Sequence, residues 1–302
     1  IVTLGRRERI QDLDSIPFPA RDLFDNEAYK NFFKKHYGYT TTAVITSRGC
    51  PFSCDFCSRP VFGEQLRCRS PDNVLDELEV LTSYGYDRIW FSDDIFPVTK
   101  KFIEEFCEKM VQRRLDIGWE CLCRADLLSE DIARSMRKAG CLRVFFGLES
   151  GNDQILRAMS KHITTTQSRR AIENARSAGL WVGGFFILGY PGETNETMLD
   201  TIRFASSLPL DYLSFTLPYP IEGTNLYDKV RSKMLVDDWV RPRFTFVRHN
   251  LIWASDFSET KLKFGIIKAG IQARLNRHLG RGYPVLGRPF EAATDLLFRA
   301  LR

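Results

Sequence analysis

Thr42-Ala43-Val44-Ile45-Thr46, then Ser47-Arg48-Gly49, then Cys50-Pro51-Phe52-Ser53-Cys54-Asp55-Phe56-Cys57: this stretch decides how the rest of the chain is read. Its first part is β-branched and apolar, as a buried strand requires, and its last part sends three thiols out of that strand on one loop. Beyond that loop the chain repeats one grammar: an amphipathic helix, a Gly just past its end, then a short apolar strand. Ser70 and Pro71 make an N-cap and first turn, and Val74, Leu75, Leu78 and Leu81 form a stripe that stops at Gly85 before a strand at 88–92. Phe102, Ile103, Phe106, Cys107 and Met110 share one helix face ahead of a strand at 118–124. Ser129 caps a helix carrying Ile132 and Met136, which ends at Gly140 and leads into 142–148. Another helix stops at Gly179 before a strand at 181–188, and a helix around 196–207 precedes a strand at 212–217.

Strands and helices in this alternation predict a parallel sheet, and right-handed crossovers of this length curl into a barrel or part of one. The expected fold is α/β, a partial (β/α)6 TIM-like barrel with a helical C-terminal extension. Residues 1–38 read as an N-terminal connector, rich in Pro and Asp at 12–21. Residues 39–232 read as the barrel, and 233–302 as the extension, in which Ser258 caps a helix through about residue 275. Reactive groups in such folds lie at the carboxyl ends of the strands.

The 302 residues are 44% hydrophobic, 27% charged and 13% aromatic, which excludes collagen, coiled coil and disorder and allows one large domain or two small ones. The longest near-continuous apolar run, at 180–190, is about half of the ~20 residues a membrane-spanning helix needs. No charged-then-apolar leader precedes it, and the first residue, Ile1, suggests a trimmed chain. The net charge of +5 is uneven, with twelve Lys and Arg against four Asp and Glu at 241–302. Without a nucleic-acid motif this basic tail reads as a solvated face, and no nucleic-acid partner is expected.

Eight cysteines without a secretory leader point to metal or thiol chemistry in a reducing compartment, hence to the cytoplasm. A structural zinc needs four ligands, and Cys68, the nearest spare, has no Cys-x-x-Cys partner. A ferredoxin loop uses a tighter run with four cysteines. Three thiolates on a cubane leave one iron without a protein ligand, the mark of a catalytic site. Cys107 lies on a helix stripe, Cys141 opens an apolar strand, and Cys121 and Cys123 alternate with Glu120, Leu122 and Arg124, so all four read as packing.

Cys-x-x-x-Cys-x-aromatic-Cys after the first strand of a partial barrel resembles the radical S-adenosylmethionine (SAM) superfamily, with Phe56 as the aromatic residue. The resemblance implies a 4Fe-4S cluster on Cys50, Cys54 and Cys57, its open iron chelated by the amino and carboxylate groups of SAM. One electron then cleaves the sulfonium bond to methionine and a 5′-deoxyadenosyl radical, which abstracts hydrogen from a substrate. The likeness runs from about residue 40 to 229. It places Asp93 and Asp94 beside the SAM amino group, unless one of them caps the next helix. It pairs Arg124 with the SAM carboxylate, a task for a guanidinium fork. Glu149 and Ser150, in Gly147-Leu148-Glu149-Ser150-Gly151, fall near the ribose or amino group. Ile187 and Leu188, ahead of Pro191-Gly192-Glu193-Thr194, fall where the backbone follows the adenine, and residues 218–224 resemble the turn after the sixth strand.

Asp12-Leu13-Asp14-Ser15-Ile16-Pro17-Phe18-Pro19-Ala20-Arg21 resembles the connector that joins a cobalamin domain to the barrel in the cobalamin-binding branch. That branch implies methyl transfer to an unreactive carbon of a small organic substrate, with oxidative cyclisation, rearrangement or methylthiotransferase-like chemistry as alternatives. From another class, the rival is a non-enzymatic iron–sulfur or zinc module. A flavodoxin or ferredoxin would supply the electron. His36, His162, His249 and His278 are isolated, and no Asp-x-His-x-x-Gly motif is present, so any cobalamin is expected on a domain outside these residues.

Overall fold

The structure, a computed structural model, describes residues 8–57, 62–96, 99–235, 251–279 and 287–301. His249 and most of the stretch that opens the expected extension lie outside the described residues. Helix α1 (Asn26–Tyr37) leads into strand β1 (Thr41–Val44), and a two-residue ladder of β2 (Ser47–Arg48) with β3 (Arg67–Cys68) brackets the cysteine loop. Then come α2 (Pro71–Ser83), β4 (Arg88–Phe91), α3 (Lys100–Gln112), β5 (Gly118–Cys123), α4 (Glu130–Lys138) and β6 (Cys141–Glu149). The short α5 (Asp153–Ala158) precedes α6 (Thr165–Ser177), β7 (Trp181–Ile187), α7 (Asn195–Ser207), β8 (Tyr212–Thr216) and α8 (Asn225–Val230). Helices α9 (Glu259–Leu279) and α10 (Gly287–Ala300) come last.

Strands β1-β4-β5-β6-β7-β8 form one six-stranded sheet in that order, every pairing parallel. This is the partial (β/α)6 barrel, with β1 and β8 at its edges. Ser70 and Ser129 cap α2 and α4 by accepting from Asn73 N and Ile132 N. The cap of α3 is Thr99, so neither Asp93 nor Asp94 performs that role. The expected first strand at 42–46 stops at Val44, because the Thr46 and Ser47 backbone amides bond to Asp93 instead. The β2–β3 ladder, α1 and α5 are additions to the sequence reading.

Alternate strand residues face the helices and are fully buried, among them Ile89, Phe91, Cys121, Val144, Phe146, Val182 and Phe186. Cys107, Cys121, Cys123 and Cys141 belong to that core, as packing residues should. Burial pushes the Cys107 thiol up to about 12, so it stays protonated. The helices at the C-terminal end share the same core through Leu262, Ala269 and Phe298, so they are not a separate body. Their basic excess is partly internal: buried Lys268 pairs with Asp295 at 2.8 Å, and Arg299 with Glu196.

Candidate active site

Beyond β1 the chain turns at Gly49, where φ is +89° and an added Cβ would stand 2.3 Å from the Gln65 carbonyl oxygen, so only glycine fits. The Cys50 amide then donates to Gly63 O at 3.1 Å, and the Cys57 amide to Cys54 O at 3.2 Å. Cys50 is buried, Cys54 and Cys57 are half-buried, and no disulfide involves them. Burial raises the Cys50 thiol. The backbone of Phe52 and the Arg124 charge work against that rise, and Cys54 and Asp94 add to it, so Asp94 and Arg124 both act on the loop.

Asp55, between the thiols, ties the loop to the far side of the sheet. Its carboxylate accepts from Ser160 Oγ and Asn225 Nδ2, each at 3.2 Å, from Tyr190 Oη at 3.1 Å, and from Lys229 Nζ. Its backbone donates to Met159 O and accepts from Leu226 N. Burial opposes ionisation, but Lys229, Asn225 and Tyr190 outweigh it and hold the carboxyl below its ordinary range. The same burial, with Asp55 opposite, keeps Tyr190 protonated well above the usual tyrosine value.

Arg124 closes β5 with only 6% of its surface exposed, so it is no surface arginine. Nε and Nη2 fork onto Asp126, both at 3.0 Å, and Nη2 also donates to the Lys161 carbonyl. Nη1 points at Cys54 Sγ, 3.8 Å away, and the guanidinium lies 3.6 Å from the centre of the Phe52 ring. Glu149 adopts φ +62° where β6 slips register against β7, which turns its carboxylate onto Lys161 Nζ at 2.9 Å. That ammonium sits 6.0 Å from the Phe56 ring, and Phe56 packs with Ile187, Tyr190 and Met159. Phe56, Arg124, Glu149 and Ile187 therefore gather with the cysteine loop at the carboxyl ends of the strands.

Two expected residues, Asp93 and Ser150, turn elsewhere, while Leu188 is placed to offer only its backbone. Asp93 spends Oδ1 on the amides and hydroxyls of Thr46 and Ser47, at 2.5–3.0 Å, and leaves Oδ2 buried and unpaired. Burial, only partly offset by those bonds, raises its carboxyl to about 6. Ser150 faces away from the thiols, its hydroxyl 3.0 Å from Thr201 Oγ1 on α7, because Gly151 brings β6 against that helix. Leu188 packs in the helix-side core, within reach of Gly265 on α9, so only its backbone can serve a ligand. Asp55, Asp126, Lys161 and Tyr190 escaped the sequence reading. Asp55 and Tyr190 meet across 135 residues and Lys161 reaches back twelve to Glu149, whereas Asp126 lies only two residues from Arg124; the placing of Asp55 inside the cysteine motif was the one hint of a role.

The donor set fits an iron–sulfur cluster. Among the described residues no three Cys, His, Asp or Glu side chains converge as a single ion demands. A cubane spreads three thiolates over three irons and needs no such convergence.

The chain belongs to the radical SAM superfamily, whose profile matches residues 44–205. This membership makes it a radical SAM enzyme domain, with a 4Fe-4S cluster and SAM as the family's cofactors. It is 40% identical over 224 residues to an uncharacterized methyltransferase of Pyrococcus horikoshii, covering 74% of this chain and 48% of that protein. It is 29% identical over 249 residues to an anaerobic magnesium-protoporphyrin IX monomethyl ester cyclase of Cereibacter sphaeroides, covering 81% of this chain and 40% of that one. The fold superposes on the radical SAM methyltransferase TsrM from Kitasatospora setae, solved with cobalamin and a 4Fe-4S cluster, with TM-score 0.61 and 20% identity over 68% of this chain and 38% of TsrM. The chain thus spans about half, or less, of the length of these two curated relatives. No helix among the described residues is long and apolar enough to cross a membrane.

Proposed function

We propose that these residues are the cluster- and SAM-binding part of a cobalamin-dependent methyltransferase acting on an unreactive carbon of a small organic molecule. The observation that carries the reading is three thiols on one loop beyond β1, with the Arg124 guanidinium 3.8 Å from Cys54 Sγ. When bound, the cluster and SAM supply one-electron cleavage of a sulfonium bond, and cobalamin a methyl carrier. Cys50, Cys54 and Cys57 hold the cluster. Arg124, Asp94 and Glu149 offer the polar contacts to SAM, Phe56 and Ile187 the apolar ones, and Leu188 its backbone, while Asp93 braces the Thr46–Ser47 turn ahead of the thiol loop. Ser150 supports this from behind by fixing the end of β6 on α7. The Arg124 guanidinium stands against Cys54 Sγ, while Asp55 keeps the loop in register with β7 and α8.

In this reading residues 1–38 connect to the cobalamin domain, 39–232 form the reacting barrel, and 233–302 extend it. A reducing cytoplasm and a flavodoxin or ferredoxin donor suit a cluster that must be reduced. Methyl transfer is favoured by the names of the relatives. Oxidative cyclisation is the second reading, favoured by the 29% identity to a cyclase. Anaerobic reconstitution tests the core of the proposal. About four irons and four sulfides per chain and reductive cleavage of SAM are expected. A Cys54→Ala protein that still cleaved SAM at the full rate would end it.

A further inference from the structure

The inner face of the sheet is lined with aromatic rings that no helix among the described residues covers. Alternation along the strands sends Phe91, Phe146, Phe186 and Phe215 into the helix-side core, and Trp90, Phe145 and Phe185 to the other face, half-exposed. Phe145 is the hub. Its ring centre lies 5.5 Å from Trp90, edge to face, 5.8 Å from Phe185, stacked at 11°, and 6.4 Å from Tyr212, which is 45% exposed. Phe145, Gly183 and Tyr212 stand side by side on β6, β7 and β8. A Cβ at Gly183 would come within 2.4 Å of the Phe145 ring, so glycine is what lets these rings form a continuous wall.

Deeper in the lumen the chemistry changes to charge. Glu120 and Arg143 are register partners, 3.6 Å apart, and Arg143 also lies 5.1 Å from the centre of the Trp181 ring. Arg88, at the start of β4, adds a second cation, stacked 3.7 Å from the Tyr39 ring. Two guanidiniums thus share one carboxylate, itself raised by burial that these arginines only partly offset. The patch has cationic charge to spare for an anion. Arg124 marks the cluster end of β5 and Glu120 the patch, four residues and ~13 Å apart at strand rise.

Resting on the radical SAM reading, we propose that the lumen binds a flat conjugated ring system bearing a carboxylate arm. The ring lies on Trp90, Phe145, Phe185 and Tyr212, and the arm reaches Arg143. Rings of this kind are what an exposed aromatic wall recognises, through offset and edge contacts that aliphatic chains cannot make. A guanidinium fork in a half-buried site prefers a carboxylate to a neutral hydroxyl. The spacing sets a ruler as well: an arm on Arg143 and a ring edge facing the Arg124 end of β5 lie on the order of 13 Å apart, beyond the reach of a free amino acid.

The test uses the reconstituted, cluster-loaded chain with three probes: 1-pyrenebutyrate, 1-pyrenebutanol and dodecanoate. Binding is read by pyrene emission excited through tryptophan, and for dodecanoate by displacement of pyrenebutyrate. Pyrenebutyrate should bind about tenfold or more tightly than either of the others. Phe145→Ala should weaken both pyrene probes by about tenfold. Arg143→Gln should erase the preference for butyrate over butanol. Equal affinity for butyrate and butanol, or for butyrate and dodecanoate, in the unmodified chain overturns the assignment whether or not either variant folds. Such a failure leaves SAM cleavage untouched. Loss of the radical SAM reading would instead appear as absent SAM cleavage with probe discrimination intact.

Discussion

Asp55 is 4% exposed and carries four side-chain partners drawn from three later segments of the chain, so its carboxylate is the main side-chain tie between the thiol loop and those segments. Asp55→Ala strands Tyr190 and Asn225 without their acceptor and leaves Lys229 without its counter-charge, which should cost on the order of 3 kcal/mol. It should also lower iron per chain after reconstitution and hasten bleaching of the cluster in air. A variant with unchanged iron content and bleaching rate would remove the positioning role. Glu193 makes a second residue-scale case. Its Oε2 accepts from the amides of Gly189 and Tyr190 at 2.5 and 2.9 Å, while Oε1 is buried without a partner. Burial, only partly offset by those two amides, lifts its carboxyl from 4.5 to about 8. The native state therefore holds this proton more tightly than the unfolded chain does, and stability falls as pH rises through that window, levelling off above it. Glu193→Gln fixes the neutral state, so its melting temperature should gain on the parent from about pH 5 to about pH 8 and hold that gain above it. A gap in melting temperature that ignored pH would show the carboxyl to be ionised throughout. The thiols were legible in sequence because their chemistry is local, three residues in one loop. Asp55 and Glu149 acquire their roles from Lys229 and Lys161, which no local pattern connects to them.

At the scale of elements, the exposed edge of β1 poses the problem every open sheet faces, since unpaired carbonyls invite another strand. Here two arginines block it. Arg21 donates to Ala43 O at 2.8 Å and Arg69 to Ile45 O at 3.1 Å, and both are gripped by buried Glu77 of α2, at 2.8 and 2.5 Å. Arg21 belongs to the stretch that reads in sequence only as a connector, yet it seals the barrel's edge. Between this connector and β1 lies a cavity of about 330 Å³ lined in part by Leu13, Ile16, Phe18 and Ile45. Glu77→Gln leaves two partly buried guanidiniums without their anion, which should cost about 3–5 kcal/mol in denaturant unfolding. The freed edge should also raise self-association, seen as earlier elution in size exclusion. Unchanged stability would show that the edge is blocked without Glu77. The helices were legible where a cap and a stripe coincide, as at Ser70 with Val74, Leu75, Leu78 and Leu81. Helix α1 was legible by the same signs, since Asp25 caps it, Gly38 ends it and Tyr29, Phe32, Phe33 and Tyr37 recur at helical spacing, but none of its residues is buried, so that stripe faces no core. The β2–β3 ladder, two residues on each side, was not, being too short to show periodicity.

At the scale of the molecule, the sheet has two edges, β1 and β8, and its inner face keeps Trp90, Phe145 and Phe185 half-exposed. A reactive carbon-centred species made at the strand ends would meet water and oxygen there unless something covers the lumen. These residues amount to less than half of TsrM, a cobalamin-bound enzyme on which the barrel superposes. A cobalamin domain seated over the strand ends would supply the cover and aim a methyl carrier at the substrate carbon. The separation of tasks is testable because the residues we propose for SAM cleavage, the thiol loop, Arg124 and the Glu149–Lys161 pair, all lie within this chain. The chain alone, reconstituted and given SAM and a reductant, should cleave SAM slowly and uncoupled, without repeated modification of any substrate. Joined to a cobalamin domain upstream and supplied with cobalamin, it should turn over in a coupled way, one product for each methyl delivered. The measurement is product formed per chain under the two conditions, quantified by mass spectrometry with isotopically labelled SAM. Multiple turnovers by the isolated chain without cobalamin would reject the cobalamin assignment. Radical cleavage of SAM would survive that result, because it depends on the cysteine loop and not on what covers it.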